Sequence, residues 1–386
     1  MATGATGTTL LAAARAFRPR ILAERERIEA GRRLPEDLIR ELARAGFFRI
    51  FLPAVYGGLD LTPLEAMEVY EELARADASV AWCVWNGNVN WTTAQLSKEV
   101  ARATFANSDV ILANSTRPSG QAVVVDDGYR VSGRWSLVSG CQLSTWVILM
   151  CIVHKNGRPS LTPSGAPESR FMLCPTADCE IIDTWTVGGL RGTGSHDVVA
   201  RDLFVPVRYA SFFTDPIVLP GPRYQFPFTS RVTSGVGAIA LGIARSAIEA
   251  LVDLAGEKRY ERTSQSLRED RGAQSRLSQA EALVRSARLF LFDTVSRLWD
   301  DVMAGRNATI EGRSQVRLAN CHAVASAVQA VDLVYLTGGA TSLYASCPLE
   351  RAFRDIHAVT QHIAVHPRTL ETAGRVLFGW SRTHRR

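Results

Sequence analysis

Residues 183–209, DTWTVGGLRGTGSHDVVARDLFVPVRY, run glycine-dense turns directly into a strand pattern that ends on Val205-Pro206. Gly188, Gly189, Gly192 and Gly194 supply positions that tolerate positive φ or close backbone approach. Ser195, His196 and Asp197 add small polar groups able to cap exposed amides. By itself the stretch is a loop joining two strands. About fifty residues upstream, Gly133-Arg-Trp-Ser-Leu-Val-Ser-Gly140 repeats the combination of strand and glycine turn, so the two are read together.

Around this pair the hydrophobic period is two. Val123-Val124-Val125 enters Asp126-Asp127-Gly128, a hairpin turn in which Gly128 is expected to take positive φ, and Tyr129-Arg-Val131 leaves it. Further strand-like runs at 146–153, 170–174 and 203–205, broken by the Gly/Pro-rich loop 156–167, predict a β insert of about a hundred residues. On either side the period is helical. Helices are expected over 10–30 and 35–45, the second with Pro35 in its first turn and Gly46 at its stop. Thr62-Pro-Leu-Glu65 is a capping-box pattern and predicts a helix over 63–75. The next helix, 78–95, carries Trp82, Trp85 and Trp91 with Asn86, Asn88 and Asn90 interleaved. Beyond Phe228 helical spacing predicts 229–260, 271–304, 311–337, 349–362 and 367–378, a four-helix bundle that also buries faces between subunits. The expected division is 1–109 (helical), 110–215 (β) and 216–386 (bundle).

Composition bounds the function. The 386 residues exceed one small core, and 46% hydrophobic with 21% charged residues is ordinary for a globular enzyme. The longest uninterrupted apolar run, 146–153, is eight residues, so no membrane span is expected. Residues 1–9 are small and polar without a basic leader, predicting a frayed tail, no signal peptide and a cytoplasmic protein. The seven cysteines form no C-x-x-C pair and are odd in number, which predicts reduced, buried thiols and neither a disulfide framework nor a metal site. The net charge of +6, spread along the chain with a local concentration at Arg382-Thr-His-Arg-Arg386, points to a small anionic ligand ahead of nucleic acid. No P-loop, GxGxxG fingerprint or HExxH motif occurs.

With Leu349-Glu-Arg351-Ala-Phe-Arg354-Asp355 added, the order of helices, β insert and bundle resembles the acyl-CoA dehydrogenase superfamily over residues 10 to 380. The resemblance implies a mainly α fold with a central β-barrel-like domain. Dehydrogenases of the family supply a carboxylate base in the segment after the arginine-aspartate pair. Here that segment reads Ile356-His-Ala-Val-Thr-Gln-His362-Ile-Ala-Val-His366-Pro367, with no carboxylate between Asp355 and Glu371. The arginine and phenylalanine-glycine pair with which the dehydrogenases hold a neighbour's FAD are replaced by Arg259-Tyr-Glu-Arg262 and Thr263-Ser-Gln-Ser266. The chain is therefore similar to the two-component flavin-dependent monooxygenase branch acting on phenols, indoles and dibenzothiophene.

That resemblance implies reduced FMN or FAD delivered by a separate flavin reductase, reaction with O2 through a flavin 4a-hydroperoxide, a small aromatic or polycyclic substrate, and a homo-oligomer, dimer or tetramer. It also implies a site closed to water. N-hydroxylation of an amine or amino sugar, acyl-CoA oxidation with a base from elsewhere in the bundle, and a non-catalytic binding protein stay open as alternatives.

The residues carried over are these. Asp355, His357 and His362 match an Asp-x-His-x-x-x-x-His arrangement in which His362 exchanges a proton near neutrality and His357 is orienting or structural. Ser139 offers its hydroxyl or amide to the flavin's reactive edge, or else bonds its own backbone as a strand-end serine. Flavin contacts are implied at Asn114, Thr116, Trp135, Ser139, Gly140, Gly339 and Arg354, the last for its forked donors. Substrate contacts are implied at Trp85, Asn86 and Asn90, with the tryptophans either core or pocket wall. His196 is a turn or flavin-edge residue and His366 starts a helix.

Overall fold

The computed structural model describes residues 3–259 and 265–379, without the side chains of residues 3–6 and Trp91. The readings of Trp91, of the replacements at Tyr260, Glu261, Arg262, Thr263 and Ser264 and of the basic terminus at 382–386 therefore lie outside the described residues. The N-terminal helices are α1 (Thr3–Ala23), α2 (Arg25–Gly31), α3 (Glu36–Arg44), α4 (Pro63–Ala76), α5 (Ala78–Gly87) and α6 (Lys98–Thr104). Helix thus begins at Thr3, where a frayed tail was expected, and the predicted 10–30 helix is two, parted at Glu24.

Helix α4 starts on its capping box: Thr62 Oγ1 accepts from the Glu65 amide at 3.2 Å, and Glu65 accepts from the Thr62 amide at 2.8 Å. Asp77 caps α5 through the amides of Ser79 and Val80. The helix expected over 78–95 stops at Gly87 and passes into a 3-10 turn, Val89–Gln95. Asn88 is the reason. Its side chain accepts from Ile50 N at 2.8 Å and donates to the carbonyls of Phe47 and Val84 at 2.7 Å, which pins the chain to the 47–50 turn.

Eight strands follow among the described residues: β1 (Leu112–Val125), β2 (Gly128–Val138), β3 (Trp146–Lys155), β4 (Arg158–Pro159), β5 (Ser169–Pro175), β6 (Glu180–Ile182), β7 (His196–Pro206) and β8 (Ala210–Ser211). Their order is β6-β7-β2-β1-β3-β5-β8, with β4 on β3; β1 and β3 are parallel and the other pairs antiparallel. Although well separated in that order, β5 and β7 touch, so the sheet rolls round a core of its own. Alternation along β3 shows the two faces: Val147, Leu149 and Cys151 enter that inner core with Trp135, while Ile148 and Met150 pack toward Leu96, Val100 and Phe105. In the hairpin the positive φ falls on Asp127 (62°), not on the expected Gly128. Gly128 is required for another reason: a Cβ there would lie 2.9 Å from the Phe204 ring and overlap the Val205 carbonyl.

The C-terminal part comprises α7 (Phe228–Glu257), α8 (Arg271–Met303), α9 (Ile310–Gly338), α10 (Pro348–Val359) and α11 (Pro367–Leu377), with α7, α8, α9 and α10 packed together and α7 also against α4. By length and composition alone, two segments among the described residues are apolar enough to cross a membrane: Phe228–Glu257 and Ile310–Leu343. The longest-run criterion missed them because sparse polar residues interrupt them. Their apolar windows are 72% and 50% buried within the protein, as in core helices of a bundle. All seven cysteines are free, five of them buried.

The α4–α7 contact is close enough to specify its residues. A Cβ at Gly242 would stand 2.7 Å from Ala74 Cβ and overlap the Glu71 carbonyl. Gly242→Ala is expected to destabilise the fold by about 1–3 kcal/mol through overpacking, measured by denaturant unfolding. Gly374→Ala, where nothing lies within 4 Å, is expected to be neutral or stabilising.

Candidate active site

A cavity of about 990 Å³ opens where α5, β1, β2, the loop before β7, the start of α7 and the segment after α10 converge. It is at the upper end of small-molecule pockets. Two interruptions of the sheet shape it. The β1–β3 ladder passes from Ser115↔Leu149 to Gly120↔Cys151, so Thr116, Arg117, Pro118 and Ser119 stand opposite Met150 alone. The β2–β7 ladder passes from Trp135↔Val198 to Val138↔His196, leaving Ser136 and Leu137 opposite Asp197, with Leu137 at φ 62°. Such bulges re-aim side chains, and a leucine in the left-handed region persists only where its surroundings impose it. Thr116, Arg117, Pro118, Ser136 and Leu137 all line the cavity. Trp135 does not reach it. Fully buried, it donates Nε1–H to the Met150 carbonyl at 2.7 Å, through a gap that Gly120 and Gly133 leave in the sheet. Its role is to fasten the interruption, a correction to the flavin contact expected there.

Helix α10 fixes the opposite wall. The buried Asp355 carboxylate accepts the Leu190 amide at 2.6 Å. Arg354 bonds Glu350 at 2.6 and 2.9 Å, Glu29 at 2.9 Å and the Gly188 carbonyl. Arg351 bonds Asp77 at 3.2 Å, Glu29 at 2.8 Å and the Arg25 carbonyl at 2.7 Å. Gly189 lies so close to α10 that a Cβ would overlap the Arg354 carbonyl, and Gly192 does the same against Ile28 and Ser79. Arg354 borders the cavity, but its guanidinium is engaged by two carboxylates and its forked donors are not free for the flavin contact expected there. Burial, with Asp77 adding to it, pushes the Asp355 carboxyl up to about 7.

Ser139 lies at the end of β2 in a chain of hydroxyls. It receives Trp82 Nε1–H at 3.2 Å and shares a proton with Ser195 Oγ at 2.7 Å, which in turn meets Thr193 Oγ1 at 2.7 Å. Thr193 donates to the Leu190 carbonyl at 2.9 Å. Each hydroxyl has one proton, so the direction follows: Ser195 donates to Thr193 and Ser139 donates to Ser195. Ser139 therefore presents a lone pair to the cavity and not the hydroxyl donor expected of it.

His362 is placed at the end of α10, with its ring edge-on to Trp82 and Trp85 at 5.4 Å each. Its Nδ1 accepts the Ala364 amide at 3.2 Å as the cap of the turn Ile363–Val365. Burial first, and Arg117 second, push it down to about 4. The ring is neutral near pH 7, and with Nδ1 an acceptor its proton sits on Nε2. His362 is thus a neutral hydrogen-bond donor near pH 7, which departs from the proton exchange near neutrality expected of it.

On the facing wall Asn114 Nδ2 donates to Asn86 O at 2.9 Å and to Asn86 Oδ1 at 3.1 Å, leaving Asn86 Nδ2 and Asn114 Oδ1 as one donor and one acceptor. Of the expected residues, the cavity collects Trp85, Asn86, Asn114, Thr116, Ser139, Arg354 and His362. The rest stand elsewhere. Asn90 is fully buried and donates to the Phe48 carbonyl at 2.7 Å, because the chain has left the helix at Gly87. Gly140 is the positive-φ turn that donates to Thr193 O. Gly339 ends α9 with Lys258 Nζ 3.5 Å from where a Cβ would be. His357 is on another face of α10, against Phe353 and 3.7 Å from Asp332. His196 is a buried acceptor for the amides of Thr184 and Trp185, and His366 caps α11. Thr193 and Arg231 were not singled out; Ser195 was read only as a cap for exposed amides, and Trp82, read as core or pocket wall, is here pocket wall.

A family profile described as acyl-CoA dehydrogenase, N-terminal domain, matches residues 6–105, and one described as acyl-CoA dehydrogenase, C-terminal domain, matches 234–367. The fold with this cavity defines the class: the chain belongs to the acyl-CoA dehydrogenase superfamily, in its branch of flavin-dependent monooxygenase oxygenase components. It is 32% identical over 363 residues to the flavin-dependent monooxygenase oxygenase subunit HsaA of Rhodococcus jostii, covering 91% of this chain and 93% of that one. It is 30% identical over 345 residues to the indole-3-acetate monooxygenase of Acinetobacter baumannii, covering 89% and 87%. The crystal structure of the HsaA monooxygenase from M. tuberculosis matches with a TM-score of 0.88 at 29% identity, over 97% of this chain and 98% of that one.

The Asp355 carboxyl carries a pH signature. Its folded-state value lies above the ordinary one, so the folded protein keeps a proton that the unfolded chain has released, and its contribution to stability falls as pH rises from about 4 to about 7. His362 acts with the opposite sign: its contribution is present above the ordinary value and is lost as pH falls toward about 4. Relative to the parent protein, Asp355→Asn is expected to gain stability by at most about 1.4 kcal/mol per pH unit between pH 4 and 7, then level off. Urea unfolding across that range measures it, and parallel pH curves for the two proteins overturn the assignment.

Proposed function

We propose that this protein is the oxygenase component of a two-component system, receiving reduced FMN or FAD from a separate reductase and using O2 to hydroxylate a small aromatic compound. One observation carries the proposal: among the described residues the cavity is walled by Trp82, Trp85 and His362 and lined by no Asp or Glu. The base that an acyl-thioester oxidation requires has no counterpart there.

The cavity suits a flavin ring. Its volume exceeds the needs of one aromatic substrate, the unengaged Asn86 Nδ2 and Asn114 Oδ1 supply a donor and an acceptor side by side, and the interruption at Thr116 to Ser119 leaves backbone without a β3 partner. When bound, reduced flavin activates O2 for transfer of one oxygen atom. The chain's own residues do the rest. Asn86, Asn114 and Thr116 would hold the ring edge, with the Ser139 lone pair available to accept from it. The tryptophans and Leu190 exclude water. His362 holds an oxygen or nitrogen substituent of the substrate through Nε2–H.

We also infer a cytoplasmic homo-oligomer, dimer or tetramer. Leu336, Leu343, Tyr344, Ile363, Leu377 and Phe378, exposed on the C-terminal helices, support self-association.

With a flavin reductase, NADH and an aromatic substrate panel, the protein is expected to yield a hydroxylated product whose new oxygen derives from isotopically labelled O2, read by mass spectrometry. Label arriving from water, or no product with any substrate, counts against the assignment. His362→Ala is expected to lower turnover on the order of 100-fold, and His362→Gln, which keeps a donor, by less. Because the imidazole stays neutral down to about 4, its titration contributes no acid limb between pH 5 and 8 in the rate profile.

A further inference from the structure

Arg231, at the start of α7, borders the cavity and is only 8% exposed. Its guanidinium carbon lies 4.7 Å from the ring centroid of Phe51 and 5.4 Å from that of Phe226. The Arg223 carbonyl accepts one of its N–H groups at 3.4 Å, and Nε has no acceptor among the described residues. Tyr70, whose buried hydroxyl has no hydrogen-bond partner among the described residues, and then Asp60 act on it electrostatically, and Asp60 is already paired with Arg223 at 3.0 Å and bonded by the Tyr224 hydroxyl at 3.2 Å. Among the described residues no carboxylate forms an ion pair with Arg231. Burial pushes the guanidinium down to about 10, so it stays charged near neutrality.

A buried guanidinium ordinarily has a carboxylate partner, and truncating that partner is costly because the charge is left uncompensated. Arg231 borders a cavity that is itself without acids, so the missing partner is one that enters. Its position suits one kind of ligand. Gly235 follows one turn later on α7, and the Trp85 indole fills the space a Cβ would take there. Trp85 in turn meets His362. Four helical residues rise about 6 Å, comparable to the distance from an aromatic ring edge to an ionised group on a short carbon arm.

We propose that Arg231 recognises the carboxylate of the substrate, which is an aromatic acid whose ring lies against Trp85 and His362. The proposal rests on the oxygenase reading of the cavity. A flavin phosphate is the other anion the cavity receives, but a dianion on a flexible polyol chain suits the exposed Arg117, whereas a planar fork held between two phenyl rings suits a carboxylate.

The test is anaerobic calorimetry on protein loaded with reduced FMN, titrating indole-3-acetate, phenylacetate and benzoate, each against its uncharged amide. The parent protein is expected to bind at least one acid 10- to 100-fold more tightly than its amide, on the order given by charge-assisted hydrogen bonds. Arg231→Met is expected to erase that preference with FMN affinity unaltered, and Arg231→Lys to keep part of it. If the parent binds no acid better than its amide, the proposal is overturned, and this comparison needs no variant to fold. Loss of FMN affinity in Arg231→Met with the acid preference intact overturns it as well, assigning the arginine to the flavin phosphate. Since oxygen is excluded, acid recognition is scored separately from turnover: a protein that selects acids yet yields no hydroxylated product sinks the oxygenase reading alone.

Discussion

The site depends on one buried carboxylate. Asp355 accepts the amide of Leu190, and with Arg351 and Arg354 it joins α10 to the glycine loop of the β domain and to Glu29 and Asp77 of the N-terminal helices. Three parts of the chain that are far apart in sequence meet there. Burying an acid without a full counter-charge is unfavourable, which is why its carboxyl is pushed upward. The strain is offset because the amide it bonds would otherwise be orphaned, and two arginines beside it are themselves paired. Everything on the cavity's glycine-loop wall, from Val187 to Thr193, is positioned by that contact.

The sheet supplies the other wall by failing to stay regular. A continuous β1–β3 ladder would place Thr116 and Arg117 in the pleat, and a continuous β2–β7 ladder would do the same for Ser136 and Leu137. Trp135 compensates for the first interruption, giving the Met150 carbonyl a donor where the neighbouring strand gives none. The result is a rigid frame with a few polar atoms left over. Polar atoms that the protein leaves unsatisfied, in Asn86, Asn114 and Arg231, are the ones available to ligands.

Local chemistry was legible wherever it was local. The Thr62/Glu65 box, the hairpin at 126–128, the strand alternation at 146–153 and the long helical periods each depend on neighbours a few residues apart, and each element formed within a few residues of its expected limits. The misses have a common cause. The helix after Asp77 was cut short by Asn88 reaching forty residues back to the Phe47 turn, and the left-handed residue of the hairpin moved from Gly128 to Asp127 because Gly128 was needed against β7. Among site residues, Trp135, Asn90 and His357 have the right chemistry for the cavity, but side-chain direction is set by a bulge, a helix end and a helix face, none of which spacing reveals.

By itself the sequence determined the order of helices, β insert and bundle, the glycines where chains must approach, and the absence of a carboxylate after Asp355 that separates this chain from acyl-thioester oxidation. Periodicity and residue type act over a turn or a strand pair, and these features need no more. Only the tertiary structure decided what the polar groups do. It turned His362 into a neutral donor by giving its Nδ1 to a backbone amide, directed the Ser139 proton into Ser195, engaged Arg354 with two glutamates and left Arg231 with none. Protonation, hydrogen-bond direction and pairing depend on which groups share a dry space, and that is fixed by contacts between residues far apart in the chain.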